Sequence, residues 1–171
     1  NPLVITSRAG REPQAVPLLA ALAERYALPV VEYRPKHLSL ASDHPMHGGY
    51  ETDPWLASAD AILVLDCDVP WIPSIRQPRP EVPVIQVGID PLFSRYPVRG
   101  FRSDVTIAGS SQAIVAALGA ALAAQAAGPL HRSAEARRKH VMQQGQARAA
   151  EAQRAIESAR KAKPMGFAWV T

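Results

Sequence analysis

Three short apolar runs, at residues 61–65, 82–87 and 105–108, each break off in turn-forming residues: Asp66-Cys67-Asp68, Gly88-Ile89-Asp90 and Gly109-Ser110-Ser111. Short continuous apolar runs without strict alternation mark strands buried on both faces, which is the pattern of a parallel sheet. Two further strands are expected nearer the amino end, at Leu3 to Ser7 and at Pro29 to Tyr33. Between them, Val16, Leu18, Leu19, Leu22 and Ala23 place an apolar face on a helix from about Gln14 to Tyr26,. A strand, helix, strand unit of this length is a right-handed parallel crossover. The fold class is therefore α/β: layers of helix around a mostly parallel sheet of about five to six strands. Open sheets of this kind bind ligands beyond the carboxyl ends of their strands, so the chemistry of the chain is expected at those three turns and at the turn after Ser7.

The remaining connections are read from their breakers. Residues 34–52 carry Pro35, Pro45, Gly48 and Gly49 and are expected to be irregular, with His37, His44 and His47 among them. A short helix is expected around Trp55 to Ser58. Pro70, Pro73, Pro78, Pro80 and Pro83 make the next connection stiff and extended rather than helical,. Asp90-Pro91 starts a turn or short helix, residues 97–102 are loop, and Asp104 to Ala108 is the last strand. Ser110 or Ser111 then caps a helix running to about Ala126, which covers the sheet,. Gly128-Pro129 closes the first domain at 129. In residues 130–171, Val141, Met142 and Ile156 do not form a stripe able to bury a long helix,. That segment is expected to be a basic, solvated helical linker. Pro164 ends it, and Phe167, Trp169 and Val170 suggest a junction into another domain.

Charge and cysteine content narrow the function classes. Residues 1–130 hold 10 Lys/Arg against 12 Asp/Glu, and residues 131–171 hold 9 against 3. The positive excess lies wholly in the tail, where Glu135, Glu151 and Glu157 interleave and no Phe, Tyr or Trp stands among the basic residues from Arg132 to Lys163, so no nucleic-acid partner is expected,. No apolar stretch reaches the ~20 residues of a membrane span, and no membrane partner is expected either. The single Cys67 excludes a disulfide within the chain and fits a reducing cytoplasm,. The opening Asn1-Pro2-Leu3-Val4-Ile5 has no basic leader, and the expectation is a segment of a longer polypeptide,.

The order of these elements, together with Asn1-Pro2-Leu3-Val4-Ile5, His44-Pro45 followed by Gly48-Gly49, Ser58-Ala59-Asp60-Ala61-Ile62-Leu63-Val64-Leu65, Val84-Ile85-Gln86-Val87-Gly88-Ile89-Asp90-Pro91 and Asp104-Val105-Thr106-Ile107, resembles the central domain of thiamine diphosphate-dependent enzymes, the family of acetolactate synthase, benzoylformate decarboxylase and pyruvate decarboxylase. The resemblance covers residues 1 to about 126. It implies a Rossmann-like sheet of about six strands between a pyrimidine-binding and a diphosphate-binding domain, the parent being a homodimer or homotetramer. It also implies that thiamine diphosphate and Mg²⁺ belong to those outer domains of the parent. The chain has no Gly-Asp-Gly motif, and Gly88-Ile89-Asp90 does not substitute for it. The chain alone is thus expected to be non-catalytic and to hold no cofactor of its own. Its role would be to orient the outer domains of an enzyme acting on 2-keto acids.

In the acetolactate synthase branch the central domain binds FAD through a glycine-rich turn after its first strand and an Arg/Asp-rich turn after its fourth. The residues placed to line such a nucleotide crevice here are Ser7, Arg8, Gly10, His47, Gly48, Asp66, Asp68 and Asp90. Backbone amides at a helix start are what a diphosphate needs, and Arg8 and Arg11 would add charge. The plain alternative is a strand-to-helix turn. The carboxylates of Asp66 and Asp68 would repel a diphosphate, so FAD is not the expected occupant; Mg²⁺ would accept them but needs further ligands. His37, His44 and His47 raise the same question for a transition metal, against the reading of ordinary loop histidines. Cys67 has acidic neighbours that raise a thiol pKa and is expected to be inert. A stand-alone module for FAD, ADP or NAD, using the turn from Ser7 to Arg11, remains the rival function.

Overall fold

In the computed structural model, which describes residues 1–125 and 129–161, all six strands run parallel in one sheet. They are β1 (Pro2–Thr6), β2 (Val30–Glu32), β3 (His47–Gly49), β4 (Ala61–Leu65), β5 (Val84–Gly88) and β6 (Val105–Ala108). The order across the sheet is β3-β2-β1-β4-β5-β6. The chain therefore winds outward from β1 in one direction and from β4 in the other, giving a Rossmann-like sandwich whose topological switch point lies between β1 and β4. Those two central strands pair over their whole length, Pro2 with Ala61 through Thr6 with Leu65.

The helices are α1 (Ala15–Tyr26), α2 (Asp53–Leu56), α3 (Ser111–Ala124) and α4 (Pro129–Lys161). Leu19, Leu22 and Ala23 of α1 are buried, as the apolar spacing requires, and α1 also packs on α3. Ala27 ends α1 in the left-handed conformation, at φ 53°, and its amide closes on the Ala23 carbonyl. Leu3, Ile5, Val30, Ile62, Leu65 and Val84 form the centre of the core, each at most 2% exposed; burial of side chains this size contributes about 2 kcal/mol apiece. The proline-rich connection before β5 stays without helix, and Trp71 within it meets Phe101 edge-on at 5.4 Å. No described helix is long and apolar enough to cross a membrane.

Three sequence expectations need correction. Residues 34–52 are not wholly irregular, because His47–Gly49 forms β3 against β2. A Cβ at Gly48 would crowd the Val31 side chain and the Val30 carbonyl, so the glycine is there for close strand approach,. The run at 105–108 is not buried: β6 is the outer edge, with Val105 49% and Ile107 44% exposed. Finally, α4 is not a solvated helix over its first half. Ala134 and Val141 are buried, seven residues apart, and Arg148, a further seven on, donates to the His47 carbonyl at 2.5 Å. Arg137 donates to the Tyr26 and Ala27 carbonyls at 2.9 and 3.3 Å, and Arg138 to that of Glu24. These are the bare carbonyls at the end of α1, which cations satisfy well. Charge on carbonyls, rather than an apolar stripe, docks α4.

Candidate functional site

The switch point is built by the residues that follow β1 and β4. Thr6 ends β1 with its hydroxyl turned back onto the amide of Ala9 at 3.2 Å. This shapes a turn in which Gly10 donates to the Ser39 hydroxyl at 3.2 Å and Arg11 to the Arg8 carbonyl at 2.9 Å. The Ser7 carbonyl accepts from the amides of Lys36 and His37 at 2.8 and 3.2 Å, which draws the segment after β2 over the turn. Gly10 is required there, since a Cβ would overlap the Leu38 carbonyl. The close backbone approach that glycine permits is thus taken by the chain's own residues 38–39.

Across the gap, Asp66 adopts a left-handed conformation at φ 46°, which Asp tolerates better than most residues. Its carboxylate accepts the Ser111 hydroxyl and lies 3.8 Å from the Arg11 guanidinium. A Cβ at Gly88 would collide with that carboxylate. The two sides are joined directly: the Ser7 hydroxyl donates to the Asp66 carbonyl at 3.1 Å, and Arg8 pairs with Asp68 at 2.6 Å. One Asp68 oxygen also accepts Lys36 at 2.7 Å and the Tyr96 hydroxyl at 3.0 Å. Burial works against the charge on Asp68, but the bonds from Lys36 and Tyr96 and the charge of Arg8 outweigh it and hold the carboxyl at about 2. Arg99 donates to the Asp68 carbonyl at 3.1 Å and to the Gln86 side chain at 2.7 Å. The guanidiniums of Arg8 and Arg99 lie 5.2 and 5.0 Å from the Phe93 ring centre.

The second helix start near the crevice is also used internally. Glu12 accepts the Gln112 amide at the head of α3 at 3.0 Å, and that bond lowers its pKa. Ser110 caps the same helix by accepting from Ala113 at 3.1 Å. A carboxylate and a hydroxyl thus sit where a phosphate would otherwise bind. Asp90 holds the amide and hydroxyl of Ser94 at 3.0 to 3.2 Å, and its charge also acts on Arg99. Cys67 is buried, and burial pushes its thiol up to about 11, far from a usable nucleophile.

His47 and Gly48 lie in β3, two strands from β1, or about 10 Å at the usual strand spacing. Their contacts are structural. The His47 ring accepts the Gly49 amide at Nδ1 (3.1 Å) and donates from Nε2 to Glu32 (3.0 Å). Glu32, 1% exposed, accepts the amides of Ser39 and Leu40 as well. His44 accepts the Met46 amide at 3.1 Å. Among the described residues no group of three or more His, Cys, Asp or Glu side chains is gathered to hold a metal ion.

The structure thus brings Ser7, Arg8, Gly10, Asp66 and Asp68 together, leaves His47 and Gly48 apart in β3, and keeps Asp90 at the margin, where its charge acts on Arg99. Sequence reasoning named Ser111 as a strand-end and helix-start residue but missed Glu12, Lys36, Tyr96 and Arg99, which complete the crevice and become neighbours only through the winding of the sheet. What the assembled groups do chemically is saturate one another: every amide from Ala9 to Arg11 and both carboxylates already have partners. Neither protein-family models nor curated proteins yield a match to this chain.

Proposed function

We propose that this chain is a non-catalytic central domain of a thiamine diphosphate-dependent enzyme acting on 2-keto acids, and that it orients the two cofactor-binding domains of its parent. The observation that carries the reading is the stapled switch point: the Arg8 to Asp68 ion pair at 2.6 Å and the Ser7 to Asp66 hydrogen bond at 3.1 Å cross the gap a dinucleotide would enter. The residues present do not fit a diphosphate. The amides of the first turn are engaged, the head of α3 holds Glu12, and Asp66 and Asp68 would repel phosphate oxygens. A Rossmann-like body with a self-satisfied crevice suits a spacer better than a nucleotide carrier. The chemistry of the parent, cleavage or formation of a C–C bond next to a carbonyl, is supplied by the cofactor in the flanking domains.

Calorimetric titration of the purified chain with FAD, ADP, NAD and thiamine diphosphate plus Mg²⁺ tests this. The expected result is no saturable heat below about 1 mM with any of them. Micromolar binding of FAD, ADP or NAD would replace the spacer with the rival nucleotide module, and tight Mg²⁺-dependent thiamine diphosphate binding would overturn the reading. The coding sequence beyond Thr171 gives a second test, a Gly-Asp-Gly motif being the expected outcome.

A further inference from the structure

The opposite end of the sheet holds a cavity of about 390 Å³, within the size range of small-molecule sites. Its floor is the start of β1 and the residue before β2, Leu3 and Pro29; its wall is Trp55 of α2; its roof is α4, through Arg137, His140 and Val141. The Trp55 indole is fixed by its bond to the Gly48 carbonyl at 2.9 Å, so the wall is preformed. His140 meets that indole edge-on at 5.8 Å, and among the described residues no hydrogen bond engages its ring nitrogens. Arg137 is spent on the α1 carbonyls but keeps its charge at the roof, where burial lowers its pKa and the charge of Asp60 partly offsets this. One aromatic wall, Trp55, with Leu3 and Pro29 beneath it, Asn1 and Ser58 as polar rim and Arg137 in the roof define the complement: a flat hydrophobic body with one negative group.

We infer that this cavity is a binding site for a small aromatic carboxylate, which would lie against Trp55 with its acid group toward His140 and Arg137. Such a ligand touches both the sheet and α4. Occupancy therefore holds α4 on the domain, and the site is independent of the crevice at the other end. The electrostatic part is what separates an acid from a neutral ring of equal shape, because a half-buried guanidinium gains most from a nearby anion.

The test uses naphthalene-1-carboxylate and its neutral analogue naphthalene-1-methanol, titrated calorimetrically into the whole chain, with amide exchange read along α4. The acid is expected to saturate below about 1 mM, to bind at least five-fold more tightly than the alcohol, and to slow exchange around residues 134–148 at least three-fold. Ala136→Trp, which fills the cavity from an exposed helix position, is expected to weaken the acid at least ten-fold. His140→Ala is expected to weaken the acid about three-fold and leave the alcohol unchanged. Absence of saturation, equal affinity for acid and alcohol, or binding indifferent to both substitutions in folded protein overturns the proposal.

Discussion

At the carboxyl end of the sheet, segments following β1, β2, β4 and β5 converge on Asp68 and meet it with two cations and a hydroxyl. At the amino end, β1 and β2 begin beside a cavity walled by Leu3, Pro29 and Trp55 and roofed by α4. Parallel sheets ordinarily keep their ligands at the first of these ends. Here that end has spent its polar groups on itself, and a cavity of about 390 Å³ stands at the other. A Rossmann-like winding therefore fixes where a crevice forms but not whether it is open. Loop side chains decide that, and they can convert a binding site into a fastening.

If the carboxyl end is a fastening, cutting it should cost stability rather than a ligand. The largest effect is expected at Glu32, the last residue of β2. Glu32→Ala strands three buried donors, the Ser39 and Leu40 amides and the His47 Nε2, at about 4 kcal/mol in total, measured by chemical denaturation. A loss below about 1 kcal/mol would mean that residues 38–40 are not pinned, and the closed crevice would fail as a description. Gly10→Ala comes next. Its Cβ would overlap the Leu38 carbonyl, a backbone atom with nowhere to go, for about 3 kcal/mol. Gly100→Ala is the matched control, since a Cβ there meets nothing within 4 Å, and should stay within about 0.5 kcal/mol.

The amino end is held differently, and smaller effects should show it. Val141→Ala removes a buried contact between α4 and the domain and should cost about 1.5 kcal/mol, with faster amide exchange confined to α4. Ile156→Ala, on the part of α4 that projects and 42% exposed, should change nothing measurable. Equal effects at the two positions would mean that α4 is not divided into a docked and a projecting half.

How far these ends were legible in the sequence follows from what each is made of. Strands β1, β4 and β5 announce themselves, because burial on both faces demands mostly apolar residues, broken in β5 only by the buried Gln86, and the helix between β1 and β2 is set by its periodicity. Ser7, Arg8, Gly10, Asp66 and Asp68 were locatable as strand-end residues for the same reason. Strand β3 was not, because His47-Gly48-Gly49 is chosen for close approach to β2 and reads locally as a turn. The docking of α4 was hidden because it uses Arg137, Arg138 and Arg148 on carbonyls, and arginine in a helix reads as solvent-facing. The closure of the crevice was least legible of all. Tyr96 lies 28 residues from Asp68, and nothing local in either residue encodes the meeting.

The smallest of the expected losses separates the two ends most clearly, because it depends on pH. Asp68 is held at about 2 in the folded chain against an ordinary 3.8. A carboxyl whose folded pKa is depressed contributes stability above its unfolded value and loses it as pH falls toward the folded one. The window is therefore pH 4 down to 2. A tenfold change in proton affinity corresponds to about 1.4 kcal/mol, but Lys36 is 47% exposed and solvent screens the cluster, so about 1 kcal/mol is expected at neutral pH. Asp68→Asn keeps the shape and removes the charge. Its deficit should be full at pH 7, shrink below pH 4, and diminish in 1 M salt, where screening reaches within about 3 Å. The Val141→Ala deficit at the amino end involves no charge and should stay constant through the same titration. If both deficits shrink in parallel, the cause is general acid destabilisation, and the charge fastening assigned to Asp68 is wrong. If only the Asp68 deficit shrinks, a titrating ion pair closes one end of the sheet, while the other is held by buried contacts and by arginines on carbonyls, neither of which loses its charge in that pH window.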